Sequence, residues 1–500
     1  MRVCHFDAAV DAALTTARAA GLRLILRMQD TVERRLVMVD GGIDRDRTNR
    51  LAGLGVHVCT EDGFVGFASV DDVRPEAATE AVRRAGRLAI AARAIGGGRT
   101  DAFQQLSDLS ATPEPGAGPM QTPGVCRTPG PADTASIVRG AQDDLAVVPA
   151  GAGRTIRTTF SAVDEEWRIV RSDGADLQFR TPHALLRHEV TSRLNGNVVR
   201  AVATVAGLEA ADILEPLPLA RLWRRTGRAA RDALAAASAP PPAAGSYRLV
   251  LNHALAKGLA HEAIGHLCES DVDGSVLMRH GRLRIGEQLA RATVTVVDGP
   301  LPGDFAQQPV SANGILRQPV ALIEHGVLAA GLGDLFSAAA AGVPITGACR
   351  ASSFRDRPTP RMTNIRIQLA DASTLAADPD TLTADDVAAA LDGAGLLDSR
   401  IPTLYLAGYR GGQAHPRRGD FVFGADAAYD LLDGASPRGP ASFTGLAERA
   451  LEAIVAGIGP ICADAAGMCS KDGSAVTSSG GSHALLVLDP DPDLVISAAT

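Results

Sequence analysis

The residues of this chain best suited to chemistry lie in the run His261-Glu262-Ala263-Ile264-Gly265-His266. Two neutral imidazoles can bind a zinc ion, and a carboxylate beside them can take a proton from a water on that ion. The chemistry is hydrolysis, because zinc lowers the pKa of a bound water to about 7. The spacing carries a geometric demand. Histidines at i and i+4 share one helix face, but these stand at i and i+5. At about 100° per residue they fall roughly 140° apart on a regular α-helix. They can meet at one metal if the helix widens locally into a π-turn or breaks near Gly265, whose backbone is free to do so. The motif alone leaves open a helix with two packed or solvated histidines.

The elements that must position these residues can be read in outline. A strand over 247–252 runs into a helix over 254–270 that carries the motif. Ahead of it, 237–246 is Pro/Ala-rich and reads as a linker. Residues 6–21 have helical spacing, 22–70 read as several strands, and 73–95 form an amphipathic helix. Residues 111–134 form a Pro/Gly-rich insertion. A helix follows over 135–148, strands over 154–207 and a helix over 217–237. Beyond the motif, 291–330 read as strands and turns, 384–395 and 443–458 as helices, and two strands close the chain. The expected fold class is α+β. A mixed amino-terminal domain (1–236) precedes the linker (237–246) and a β-rich carboxy-terminal domain (247–500) with the H-E-x-x-x-H helix.

Composition narrows the function class. The chain has 500 residues, 46% hydrophobic and 21% charged, with a net charge of -8. That balance argues against a nucleic-acid binder, which would show a basic stripe. No run of 18 or more apolar residues exists, so no membrane-spanning helix is expected. No signal peptide is expected at the start, where Asp7 and Asp11 interrupt the apolar residues. The seven cysteines are scattered and odd in number, which implies reduced thiols in the cytoplasm. Of 49 basic residues, all but Lys257 and Lys471 are arginine. We read that as a coding bias without functional meaning.

Several later segments, in order, sharpen the reading: Pro358-Thr359-Pro360-Arg361-Met362-Thr363-Asn364; Tyr405 followed by Gly411-Gly412-Gln413; residues 419–429, GDFVFGADAAY; and residues 467–473, GMCSKDG. Together with residues 260–266, AHEAIGH, they resemble the motifs of the TldD/PmbA family, and the TldD branch in particular. The resemblance implies a zinc metallopeptidase whose metal is held by His261, His266 and Cys469, with Glu262 as base. Three protein ligands would leave a tetrahedral position open for water. The resemblance also implies a dimer, either a homodimer or a heterodimer with a PmbA-like subunit, acting on unfolded or small peptides.

Three departures stand out: Arg410 replaces the first glycine of the family's GGGQ, LCESD follows His266, and the 111–134 insertion is unusual. Around the motif, Cys268 is the rival thiol, and Glu269 could orient an imidazole from three residues beyond His266. Arg361, Asn364 and Tyr405 could contact a peptide or its oxyanion, and Gly411, Gly412 and Gln413 could form a turn near the substrate. The expected function is a zinc-dependent peptidase using metal-activated water and a glutamate base. Two alternatives are an amide hydrolase that trims a precursor in a biosynthetic pathway, and a non-catalytic partner-binding scaffold.

Overall fold

A computed structural model describes residues 6–96, 100, 130–143, 152–194 and 196–499. The insertion expected at 111–134 lies outside the described residues apart from 130–134, where a helix (α3, Pro131–Asp143) begins.

The first half is an antiparallel sheet dressed with helices. Two of these are α1 (Asp7–Ala19) and α2 (Pro75–Ala94). Pro75 opens α2, at the one helical position where a missing N–H is harmless. Both helices turn small apolar residues inward, among them Ala9, Ala13 and Ala17 from α1 and Ala78, Ala81 and Ala85 from α2. The strands are β1 (Arg23–Val39), β2 (Gly42–Cys59), β3 (Val65–Val70), β4 (Ala152–Arg171), β5 (Asp176–Arg180), β6 (His183–Leu194) and β7 (Asn197–Gly207), in the order β3-β2-β1-β4-β6-β7, with β5 on β4.

Residues 22–70 form three strands as expected, and the first, β1, runs unbroken for 17 residues. Its mid-strand polar groups find cross-strand partners: Asp30 meets Arg50 at 2.6 Å, and Gln29 donates to Glu165 at 2.6 Å. Side chains alternate across the pleat. Leu24, Leu26 and Met28 pack under α1 and α2. Ile25 faces the other way with Trp167, Ile169, Leu177 and Phe179, against Val310, Ile315, Leu335 and Phe354 of the second half. A helix α4 (Pro216–Ala237) leads on from the sheet.

The second half centres on an 11-stranded mixed sheet. Its middle is β8 (Arg248–Asn252), buried throughout. Later strands include β9 (Asn364–Leu369), β10 (Thr403–Ala407), β11 (Gly412–His415), β12 (Asp420–Ala425), β13 (Ile454–Cys462), β14 (Gly467–Lys471) and β15 (Ser474–Leu488). β8 is flanked by β10, parallel, and β15, antiparallel, and β15 in turn pairs with β9. The turn between β14 and β15 is Asp472-Gly473, with φ of 51° and 79°. Two left-handed residues make the tight turn that matches strand twist.

The helix expected over 443–458 is corrected. A strand covers Ala441–Leu446, a helix only Ala447–Ala453, and β13 comes next. The β-branched residues Ile454, Val455, Ile458 and Ile461 favour a pleated surface, and tertiary pairing with β15 takes them. The helix expected over 384–395 forms at Ala384–Gly393, opened by a capping box between Thr383 and Asp386.

Candidate metal centre

β8 ends at Asn252, whose side chain accepts a hydrogen bond from the Leu255 amide at 2.9 Å and caps α5 (His253–Ala260). Nearly all of α5 is buried, Leu255, Ala256, Leu259 and Ala260 among it. Beyond Ala260 the helix changes pitch. His261–Gly265 is a π-turn, closed by the His266 amide donating to the His261 carbonyl, and His266–Cys268 tightens into a 3₁₀ turn. That is the distortion the i, i+5 spacing requires. It brings the two imidazole centroids to 5.0 Å, edge to face. Gly265 contributes differently from expectation: its backbone is ordinary helix, at φ -56° and ψ -54°. What matters is space, because a Cβ there would lie 1.9 Å from Met362 Sδ.

The third group arrives on β14. Cys469 Sγ lies 3.4 Å from His266 Nε2, and the ligand atoms of His261, His266 and Cys469 all fall within 4.8 Å of one another. Zinc-to-ligand bonds of about 2.0–2.1 Å to nitrogen and about 2.3 Å to sulfur put tetrahedral neighbours about 3.5 Å apart. The donor set therefore fits a zinc ion. Outer contacts fix which nitrogens face inward. Ser478 Oγ sits 3.2 Å from His261 Nδ1, and Glu269 Oε1 sits 3.1 Å from His266 Nδ1. Both leave Nε2 for a metal, the usual support for ligating imidazoles. Glu269 is fully buried and also receives Lys471 Nζ at 2.8 Å, while Lys471 reaches Asp271 at 2.6 Å.

The charges at His261 and Cys469 suit metal binding, whereas at His266 a metal would have to displace a proton. Burial, then Lys257, holds His261 well below the usual imidazole value, so its lone pair is free. Burial opposes ionisation of Cys469, but its contact with His266 outweighs that and lowers the thiol. Burial likewise opposes a charge on His266, and Glu269 with Cys469 overcomes it and raises the imidazole. Burial raises the Glu262 carboxyl, with His266 and Lys257 pulling the other way. Glu262 stands 3.9 Å from His266 Nε2 and keeps a fifth of its side chain exposed. Cys268 is absent from the cluster; it is fully buried, and burial pushes its thiol up to about 12.

The other predicted residues separate into groups. Arg361 is fully buried and donates to the Cys469 carbonyl and, at 3.4 Å, to the Ser474 carbonyl, so it pins the β14–β15 hairpin. Asn364 is saturated: it donates to Asp304, the Ala463 carbonyl and Ser479, and accepts from Arg366. Tyr405 faces away from the histidines, stacked on Tyr429 at 6.0 Å. Gly411, Gly412 and Gln413 are exposed; β11 is an edge strand lying along the π-turn. Arg410 pairs with Asp426 at 2.9 Å.

Sequence reasoning passed over four residues that the structure brings to this place: Lys257, Tyr409, Lys471 and Ser478. Only the two lysines carried a signal, their rarity. A cavity of about 560 Å³ between the first sheet and the hairpin is lined by Met468 and Thr477 from β14 and β15, and by neither histidine.

A mixed α and β fold in which a π-turned helix and a hairpin strand bring together a His-His-Cys cluster defines the class: a protein with one candidate metal centre among the described residues. Family profiles match twice, as PmbA/TldA metallopeptidase C-terminal domain over residues 244–459 and PmbA/TldA metallopeptidase domain 1 over 26–89. The chain belongs to the PmbA/TldD metallopeptidase family. It is 27% identical over 458 residues to a protein named Metalloprotease from Methanothermobacter thermautotrophicus, covering 90% of each chain. It is 34% identical over 137 residues, 26% of this chain and 30% of the other, to the zinc metalloprotease TldD homolog of Saccharolobus solfataricus. In fold it is similar to TldE from Thermococcus kodakarensis, with a TM-score of 0.70, 15% identity and coverage of 97% of this chain and 99% of that one. No helix among the described residues is long and apolar enough to cross a membrane.

Proposed function

We propose that this protein is a zinc-dependent peptidase, with His261, His266 and Cys469 holding the ion and Glu262 as general base. The observation that carries the reading is the convergence of three ligand atoms within 4.8 Å beside a half-buried carboxylate. Zinc, when bound, would supply Lewis acidity to a water and to the scissile carbonyl. The chain's own residues do the rest. Glu262 takes the proton of the attacking water as the new carbon–oxygen bond forms. It then passes that proton to the amine nitrogen as the carbon–nitrogen bond breaks. Glu269, anchored by Lys471, keeps His266 in one tautomer, and Ser478 does the same for His261.

The substrates are unfolded or small peptides, which can lie extended along the exposed edge strand β11. The working form is a dimer, with itself or with a PmbA-like subunit. Arg410, salt-bridged to Asp426 where the family has glycine, supports a narrower second reading in which the peptide is a defined biosynthetic precursor. Defined precursors assayed against random peptides separate the two.

The test is Glu262→Gln. This variant should keep one zinc per chain and lose about 10²–10⁴ in hydrolysis rate, the usual contribution of a positioned acid–base group. Full activity in the variant would overturn the assignment.

A further inference from the structure

A chain that writes nearly every basic residue as arginine has kept lysine at two positions, Lys257 and Lys471, and both lie at the metal cluster. Lys471 has two carboxylate partners. Lys257 has none. It sits on α5 one turn before His261, is 8% exposed, and makes no hydrogen bond or ion pair with any described residue. Its charged neighbours are Cys469 and Glu262, the candidate thiolate ligand and base. Its Nζ lies 3.9 Å from where a Cβ on Gly467 would stand, two residues before Cys469. Tyr409 packs against the next residue of the helix. Its ring lies so near Gly258 that a Cβ there would meet it at 2.7 Å.

The Nζ is not among the fully enclosed unpaired atoms of the described residues, so the ammonium opens on the space beside the cluster, where an anion that arrives there can pair with it. That anion comes with the reaction. Negative charge develops on the carbonyl oxygen between the base and the ligands, and a fixed donor aimed there stabilises the transition state far more than the substrate. A compact ammonium suits the narrow space beneath Gly467 better than a guanidinium fork.

We propose that Lys257 is a catalytic residue that donates a hydrogen bond to the oxyanion of the peptide carbonyl, an inference that rests on the peptidase reading above. Water oxygen bonds to the carbonyl carbon, and its proton goes to Glu262. The carbonyl π electrons move to the oxygen, which accepts from Lys257 Nζ. The pair then returns to re-form the C=O as the C–N bond breaks and Glu262 protonates the amine. Lys257 keeps all its protons throughout.

The experiment compares zinc-loaded full-length wild type with Lys257→Met by titration calorimetry. The probes are a phosphinic peptide, which carries the anionic tetrahedral group, and the matching neutral peptide amide. The variant should bind the phosphinic peptide about a hundredfold more weakly, as expected for one lost oxyanion donor. It should bind the amide equally well, and melt at the same or a higher temperature because a lone buried charge is gone. Equal phosphinate binding by the two proteins, or equal loss for both probes, would overturn the proposal. A wild type that shows Lys257-dependent phosphinate binding yet hydrolyses no peptide would instead sink the peptidase reading and leave this anion site standing.

Discussion

Cys469 is placed to serve as the proposed third ligand because its side chain reaches His266 while Arg361 holds its backbone. Cys469→Ala should therefore abolish stoichiometric zinc, whereas Cys268→Ala should keep it, as read by metal analysis of purified protein. Retained zinc in the first variant would move the third ligand elsewhere. At this scale the sequence was legible in part. His261, Glu262 and His266 declare themselves by type and spacing. Cys469 lies more than two hundred residues away, and only the family resemblance connected it, since spacing says nothing about a contact made by folding. Tyr405 and Tyr409 show a different limit. In β10, Leu404 and Leu406 join the core around the metal helix, while Tyr405 and Ala407 face the opposite layer. Pleat parity thus sends Tyr405 away, and Tyr409, beyond the turn at Gly408 (φ 75°), returns to the site. The lysines were readable as a count, but their place beside the cluster was not.

The π-turn is the element on which the site depends. Its requirement came from the i, i+5 spacing, but the role of Gly265 did not. Only the packed structure shows Met362 filling the place of its missing side chain. Gly265→Ala should overpack that contact, at a cost of about 1–3 kcal/mol, and lower zinc occupancy as the histidines move apart. Thermal melting and metal content check both effects. A stable variant with full zinc would show that Met362 yields easily. The helix misread over 443–458 has a physical cause of the same kind. Ala447–Ala453 does form a short helix, but β15 recruits Ile454–Cys462 as a strand. Local spacing could not show that a long strand lay waiting as a partner.

Across the whole molecule, α4 ties the first sheet to the second half through ions. Arg225 donates to Asp380 at 2.6 Å and to Asp464 at 2.8 Å, with Arg221 on the same two carboxylates. Arg221 stays on both carboxylates, so Arg225→Met should destabilise the fold by less than the about 3–5 kcal/mol of a stranded buried charge, measured by denaturant unfolding. Burial opposes ionisation of Asp380 and Asp464, but Arg225 outweighs it and holds both below the usual carboxylate value. Their contribution is thus complete above the unfolded carboxylate range and fades as pH falls through the lower folded values. Stability should drop on acidification below about pH 4, and less steeply in the Arg225→Met variant. An identical acid slope would remove this network from the account. Above all, the molecule stands or falls as a metal protein. X-ray absorption at the zinc edge of the purified chain should show one zinc with a single sulfur at about 2.3 Å and two nitrogens at about 2.0–2.1 Å. A spectrum without the sulfur shell, or a preparation that takes up no zinc, would contradict it.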